Sequence, residues 1–481
     1  MKRKLDKAFN PHCIAVVGDR KDDMFRGEFR WLSALKNFRG KLYSVQRNPK
    51  TIKEIEALGV KNYVSLLDIP DPIDLVIVST PRTAALKILE DCIEKDVGAA
   101  HFFTAGFSES AGFGQGDIEE GKRLENLLVK RAKEANFNLI GPNCMGIFNP
   151  KLGVKQVATE YDGFAGSVGF ISQSGNHAIN FALEAHLYGV DINKSVSFGN
   201  GWVLDSPDYL EYFTHDPEIK AVAMYLEGVR DGKRFFSTLR DAAVQKPIVI
   251  WKGGRRGAGG RAIGSHTGSM ATSQVVWDAA VKQCGAISVT NLRELIDTLK
   301  ILLYCPAVYS NKTGIIGASG GLSVAVADAF EEEGIELPRL TQESYDELAS
   351  FWNVVGGGYP NPIDIGNENM AQMGRILKIL EHDASVDNIA LSMALGLGGL
   401  IQNFMEEFIH TVIETKEKSS KPVMVVFNVS SPEEMQLMLD ASKKLQDCGI
   451  PAFPSFERGA RALRNAVSYY NFKKHYAEAV A

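Results

Sequence analysis

Short β-branched runs alternate with amphipathic stretches of helical length along the whole chain, and this is the pattern of β-α units assembled into parallel sheets. Three blocks of it follow one another. The first opens on Ile14-Ala15-Val16-Val17-Gly18, runs through Lys41–Val45 and Asp74–Val78 and closes near Leu139-Ile140-Gly141. The second begins at Ser167–Ile171, includes Ala221–Tyr225 and Pro247–Trp251, and ends with a helix announced by Asn291-Leu292-Arg293-Glu294, a capping-box pattern. The third starts at Thr313–Gly317 and adds Asn388–Leu391 and Pro422–Val426. The expected fold class is α/β, with three consecutive doubly wound domains at 1–150, 151–305 and 306–481. A length of 481 residues accommodates three cores of ordinary size.

Each block opens with a strand that runs into a small-residue turn: Gly18-Asp19-Arg20, Ser172-Gln173-Ser174-Gly175 and Gly317-Ala318-Ser319-Gly320-Gly321. Small residues there let the N–H groups of the next helix face an anion, aided by the helix dipole. A doubly wound sheet also needs tight turns at these points whether or not it binds anything.

Several functional classes are disfavoured. The 53 basic and 58 acidic residues are spread without a basic block, so no footprint for nucleic acid exists. Six dispersed cysteines without a C-x-x-C pair argue against zinc and against a secreted disulfide framework, and a reducing cytoplasm is the expected location. No metal site, signal peptide or apolar run long enough for a membrane span is expected. Gly18 is followed by Asp19, Arg20 and Lys21, with the next glycine only at Gly27, which departs from the dinucleotide fingerprint of an NAD-linked oxidoreductase. Neither a P-loop nor a zinc helix occurs.

The segment from Gly253 to Gly268 stands apart. Six glycines and three arginines precede His266, which is flanked by Gly264, Ser265, Thr267 and Gly268. Imidazole is a good nucleophile towards phosphorus near neutral pH, and arginines and hydroxyls can hold phosphoryl oxygens. A lone histidine in a polar loop is most often only solvated.

Ser265-His266-Thr267-Gly268-Ser269-Met270-Ala271, with Asp278-Ala279-Ala280 and Cys284-Gly285-Ala286-Ile287 behind it, resembles the phosphohistidine segment of ADP-forming acetate-CoA ligases and succinyl-CoA synthetase. Gly141–Gly146, Ile171–Gly175, Ser197–Asn200 and Tyr225–Gly228 resemble further motifs of that family in the same order. The resemblance implies a Rossmann-like CoA-binding domain followed by two flavodoxin-like, succinyl-CoA synthetase-like domains. It implies that His266 is the phosphorylated residue and that Glu227 fixes its tautomer. Ser172, Gln173, Ser174 and Gly175 would open one phosphate-holding helix, and Ser319, Gly320 and Gly321 another. Gly18, Arg20, Lys21, Asn48, Lys50, Ser79, Thr80, Asn143 and Cys144 would lie at CoA, with Cys144 structural rather than nucleophilic. Asp19 departs from the family's small residues and would set a negative charge against a phosphate unless Arg20 or Lys21 compensates.

The implied activity is that of an acid-thiol ligase, the alpha subunit of an NDP-forming acyl-CoA synthetase, with coenzyme A and phosphate as ligands. ATP or ADP and Mg would sit on an ATP-grasp beta subunit, for which no segment up to Ala481 accounts. The expected assembly is an α2β2 hetero-oligomer, or a homodimer of the isolated chain. A CoA-binding regulatory module without chemistry is the alternative, and such a module has no need of His266 and Glu227.

Overall fold

The computed structural model describes residues 5–22, 27–109, 118–259, 273–317, 320–352, 358–365, 370–395 and 401–480. The chain divides into two compact units, residues 1–186 with 191–290, and residues 187–190 with 291–481.

The first unit holds two six-stranded sheets and a short antiparallel pair, Lys21–Asp22 with Glu28–Phe29. In the first, β1 (Cys13–Val17), β2 (Lys41–Val45), β3 (Lys61–Tyr63), β4 (Leu75–Val78), β5 (Ala99–Phe102) and β6 (Leu139–Ile140) lie in the order β3-β2-β1-β4-β5-β6, all parallel. This is the Rossmann order, with its reversal between β1 and β4. β1 and β4 are buried throughout, as strands covered on both faces must be, which is why they read as continuous apolar runs.

In the second sheet, β7 (Gly146–Phe148) forms an antiparallel edge beside β9 (Ile192–Ser197). β8 (Val168–Ser172), β10 (Ala221–Leu226), β11 (Ile248–Lys252) and β12 (Ile287–Val289) complete the order β12-β11-β10-β8-β9-β7. Without its edge strand this is the flavodoxin order, with the reversal at β8/β10. One apolar cluster spans both sheets. Phe9 at the start of the chain stacks on Tyr212 (centroids 4.9 Å) and meets Phe213 edge-on (5.1 Å), so the first two blocks fold as a single body.

The second unit carries the parallel sheet β13 (Thr313–Ile316), β14 (Asn388–Ala394), β15 (Val423–Asn428) and β16 (Ala452–Phe453), in that order. Helix Leu292–Tyr304, expected at the end of the second block, belongs to this unit. Asn291 caps it by accepting from the Glu294 N–H at 2.9 Å. Asp297 on that helix forms a two-pronged ion pair with Arg458 of helix Phe456–Val480, at 2.6 and 2.8 Å.

All six cysteines are free, and five are buried. No described helix is long and apolar enough to cross a membrane, and no metal-ligand cluster occurs among the described residues.

Candidate functional site

Where β8 and β10 end side by side, Gln173 joins the loops that follow them. Its Oε1 accepts from the Gly228 N–H at 2.9 Å and from the Glu227 N–H, and its own N–H donates to the Tyr225 carbonyl at 3.0 Å. Ser172 closes the turn by donating to the Ser174 carbonyl (2.7 Å) and accepting from the Ser174 N–H (3.2 Å). Ser174 Oγ accepts from the His177 N–H at 3.3 Å and caps helix Gly175–Leu187. That helix start lies at the topological switch point, where open α/β sheets place their ligands.

Glu227 is buried here, 6% exposed, with the Tyr225 hydroxyl 3.4 Å from its Oε1. Lys252, at the end of β11, reaches under it. Its Nζ donates to the carbonyls of Glu227 (2.8 Å) and Gly253 (2.6 Å), and burial lowers its pKa while the Glu227 charge opposes that. The root of the glycine-rich segment is thereby tied to Glu227. A side chain on Gly253 would bring a Cβ within 2.6 Å of the Tyr225 hydroxyl, so the chain can pass Tyr225 only as glycine. His266, with Ser265 and Thr267, falls within 260–272, outside the described residues.

The first domain meets this end through its own turn. Asn143 has a left-handed φ of 58°; its N–H donates to the Thr104 carbonyl, and the Pro142 carbonyl accepts from the Asn200 N–H, both at 3.0 Å. Asn200 Nδ2 in turn donates to two buried carboxylates, Glu109 (2.8 Å) and Glu125 (3.0 Å). Met145 packs where a Cβ of Gly175 would be, 2.6 Å from its Cγ. Cys144 is buried, and that burial raises its thiol pKa, which disfavours the thiolate that a nucleophile needs.

At the other switch point, Gly18 has φ +80° and runs so close to the next loop that a Cβ would fall 2.4 Å from Thr80 Cγ2. A cavity of about 270 Å³ opens beside it, lined by Gly18, Gln46, Arg47, Ser65, Thr80 and Lys87 among others. Its size is close to the roughly 300 Å³ at which ligand pockets begin. Thr80 Oγ1 is buried without a partner among the described residues. An open cradle, an orphaned hydroxyl and Arg47, with Lys87 paired to the Asp91 carboxylate on the same wall at 2.6 Å, suit one end of a phosphorylated ligand such as CoA.

Asp19 does not face that cavity as a bare charge. Its carboxylate turns inward, accepting from the N–H groups of Trp31 (3.0 Å) and Leu32 (2.9 Å) at the start of helix Arg30–Ala34 and from that of Arg20 (3.0 Å). Burial pushes its pKa up to about 6, against the pull of those donors. Of the other residues expected at CoA, Ser79 flanks Gly18, while Arg20, Lys21, Asn48 and Lys50 sit exposed on the same edge. Lys21 pairs with Glu54 at 3.3 Å. Asn48 caps helix Pro49–Glu56, accepting from the Lys50 N–H at 3.0 Å. Gln46, Arg47, Lys87, Lys252 and the two carboxylates that Asn200 bridges, Glu109 and Glu125, escaped the sequence reading, because none belongs to a motif.

In the second unit, Gly320 (φ +53°) and Gly321 open helix Gly321–Glu332, and the Gly320 N–H donates to Asp364 at 2.7 Å. Ser319 lies outside the described residues.

Residues 12–150 match the profile of a CoA binding domain, and residues 165–302 that of the succinyl-CoA ligase like flavodoxin domain. Over 461 residues the chain is 32% identical to the alpha subunit of ADP-forming acetate–CoA ligase II of Pyrococcus furiosus, covering 95% of this chain and 96% of the relative. The chain belongs to the alpha-subunit family of ADP-forming acetate–CoA ligases. It is also 32% identical to the ADP-forming acetate–CoA ligase of Methanocaldococcus jannaschii, covering 95% of this chain but spanning only 62% of that longer relative. A solved dinucleotide-forming acetyl-coenzyme A synthetase 1 of Ca. Korarchaeum cryptofilum, in complex with phosphate and ADP, superposes with a TM-score of 0.83. It is 28% identical, over 100% of this chain and 99% of that one.

Proposed function

We propose that this member of the ligase family is the CoA-binding, phosphohistidine-carrying subunit of an NDP-forming acyl-CoA synthetase, with CoA at 1–150, the phosphohistidine segment in 151–305 and a second ligase domain at 306–481. The observation that carries the reading is the Gln173 bridge, which holds Glu227 beside a capped helix start at the switch point of the second sheet. A carboxylate and a set of backbone donors, side by side, are what a phosphoryl-accepting imidazole needs.

The reaction is acid + CoA + ATP = acyl-CoA + ADP + phosphate, run reversibly. In the direction of ATP formation, phosphate attacks the thioester to give an acyl phosphate and CoA. His266 then takes the phosphoryl group, with Glu227 accepting from its other ring nitrogen. The Ser172–Gly175 turn supplies donors to the transferred group, and Ser319, Gly320 and Gly321 keep the phosphate-holding role that the resemblance implies. Gly18, Arg20, Lys21, Asn48, Lys50, Ser79, Thr80 and the Asn143–Cys144 turn form the CoA side. The reaction requires His266 to serve the acyl and nucleotide sites in turn. Nucleotide and Mg belong to an ATP-grasp beta subunit, in an α2β2 assembly, in the cytoplasm.

With that partner and labelled ATP, the chain is expected to acquire one acid-labile, base-stable phosphate, and His266→Asn to abolish it. Labelling of the variant would overturn the assignment.

A further inference from the structure

Next to Glu227 stands a second histidine that the reaction above does not use. His177 is the third residue of helix Gly175–Leu187. Its ring lies against Tyr225 (centroids 4.3 Å) and Trp251 (4.5 Å), and it is half-buried. Its Nδ1 is buried with no hydrogen-bond partner among the described residues. Buried polar atoms are nearly always paired, so an orphan in a ligand-facing cluster calls for a reason. An apolar side chain would pack as well between two aromatic rings and leave nothing unpaired.

The position favours the acyl side of the chemistry. Gly175, two residues before His177, is in contact with Met145, and Met145 directly follows the Asn143–Cys144 turn assigned to CoA. Tyr225 from β10 and Trp251 from β11 face the ring, the Glu227 charge acts on it, and Ser174 on its own turn accepts from the His177 N–H.

We infer that His177 is an acid–base residue of the acyl-transfer step, moving the proton of the attacking phosphate to the sulfur of CoA. The inference rests on the reaction proposed above. An oxygen of hydrogen phosphate forms a bond to the thioester carbon, the C–S bond breaks, and its electron pair leaves on sulfur. The acyl hydrogen phosphate gives its P–OH proton to the imidazole, and the imidazolium passes it to the thiolate. Acyl phosphate, CoA thiol and neutral imidazole result, and no other reactant is needed. Burial against the two rings lowers the His177 pKa, with Glu227 pulling the other way, so the ring stands neutral at pH 7, as a base must.

The test separates the two directions of His266 labelling in the full chain with its partner. Labelled orthophosphate plus acyl-CoA reports the acyl side, and labelled ATP the nucleotide side. His177→Phe keeps the ring packing without nitrogen, and His177→Gln keeps a polar group without a proton relay. Both variants are expected to slow labelling from orthophosphate about 100-fold, the size of a general acid–base contribution. Both should also lose the acid limb of its pH profile, with labelling from ATP held within about twofold. Equal slowing from both directions, or an unchanged acyl side, would overturn the inference. A wild-type chain that takes label from neither direction would instead sink the parent reading, and this one with it.

Discussion

Glu227 owes its place to neighbours on two strands, since Gln173 holds its backbone N–H and Lys252 its carbonyl. Its carboxylate is therefore positioned by contacts that a Gln substitution leaves intact. Glu227→Gln removes a charge-assisted hydrogen bond of ~1.5–3 kcal/mol, which translates into labelling slower by about 10- to 100-fold, with CoA affinity nearly unchanged. Equal losses of labelling and CoA binding would make Glu227 structural. His101 offers a test by pH. It is buried, its Nε2 lies 3.0 Å from the Cys144 carbonyl, and burial pulls its pKa down from 6.5 to about 4. A depressed histidine pKa gives stability that is present above pH 6.5 and lost as pH falls through 4. At ~1.4 kcal/mol per pH unit, the loss is about 3 kcal/mol across that window. Asp19, with its raised pKa, has the opposite sign: its share is present below pH 3.8 and lost as pH rises through about 6. The His101 contribution must therefore be read from the difference between wild type and His101→Gln in urea unfolding at pH 7 and pH 4. That difference should shrink at pH 4, and a constant difference would refute the burial argument.

At the scale of elements, the strands were legible because parallel strands buried on both faces are short apolar runs bounded by turns. The expected run Ile14–Gly18 became β1 at Cys13–Val17. The turn after β8 was legible for a similar local reason, since Ser172-Gln173-Ser174-Gly175 is at once the turn and the cap of the next helix. What the sequence concealed was tertiary. Asp19 looked like a charge opposed to a phosphate, yet it serves donors on Trp31 and Leu32. Nothing local announces that service, because helix Arg30–Ala34 has only five residues. Helix Leu292–Tyr304 closes the second block along the chain, and the Asp297–Arg458 ion pair on it joins residues 161 apart, a contact no local pattern announces. Gly18 provides the prediction at this scale. In Gly18→Ala a methyl at φ +80° would collide with Thr80 and the Ser79 carbonyl, displacing the loop that borders the cavity. CoA affinity measured by calorimetry should fall at least tenfold, or about 1.4 kcal/mol; unchanged affinity would move the CoA site elsewhere.

Across the whole molecule, family membership and the order of motifs were readable because the motifs lie at strand ends, where backbone geometry and ligand chemistry both constrain the residue. The supporting set was not. Lys252, Glu109, Glu125 and His177 sit within ordinary strands, helices and loops, and only the fold brings them to one edge of the second sheet. The central claim is that the chain is a carrier, holding a phosphoryl group on His266 that one partner reaction loads and another unloads. A chase tests it most directly: the chain is loaded from labelled ATP, stripped of nucleotide, and given acid and CoA. The account predicts that the label leaves as orthophosphate, with one acyl-CoA formed per phosphate released, and only when both acid and CoA are present. Release at the same rate without them, or label that stays on the protein while acyl-CoA forms, would contradict it.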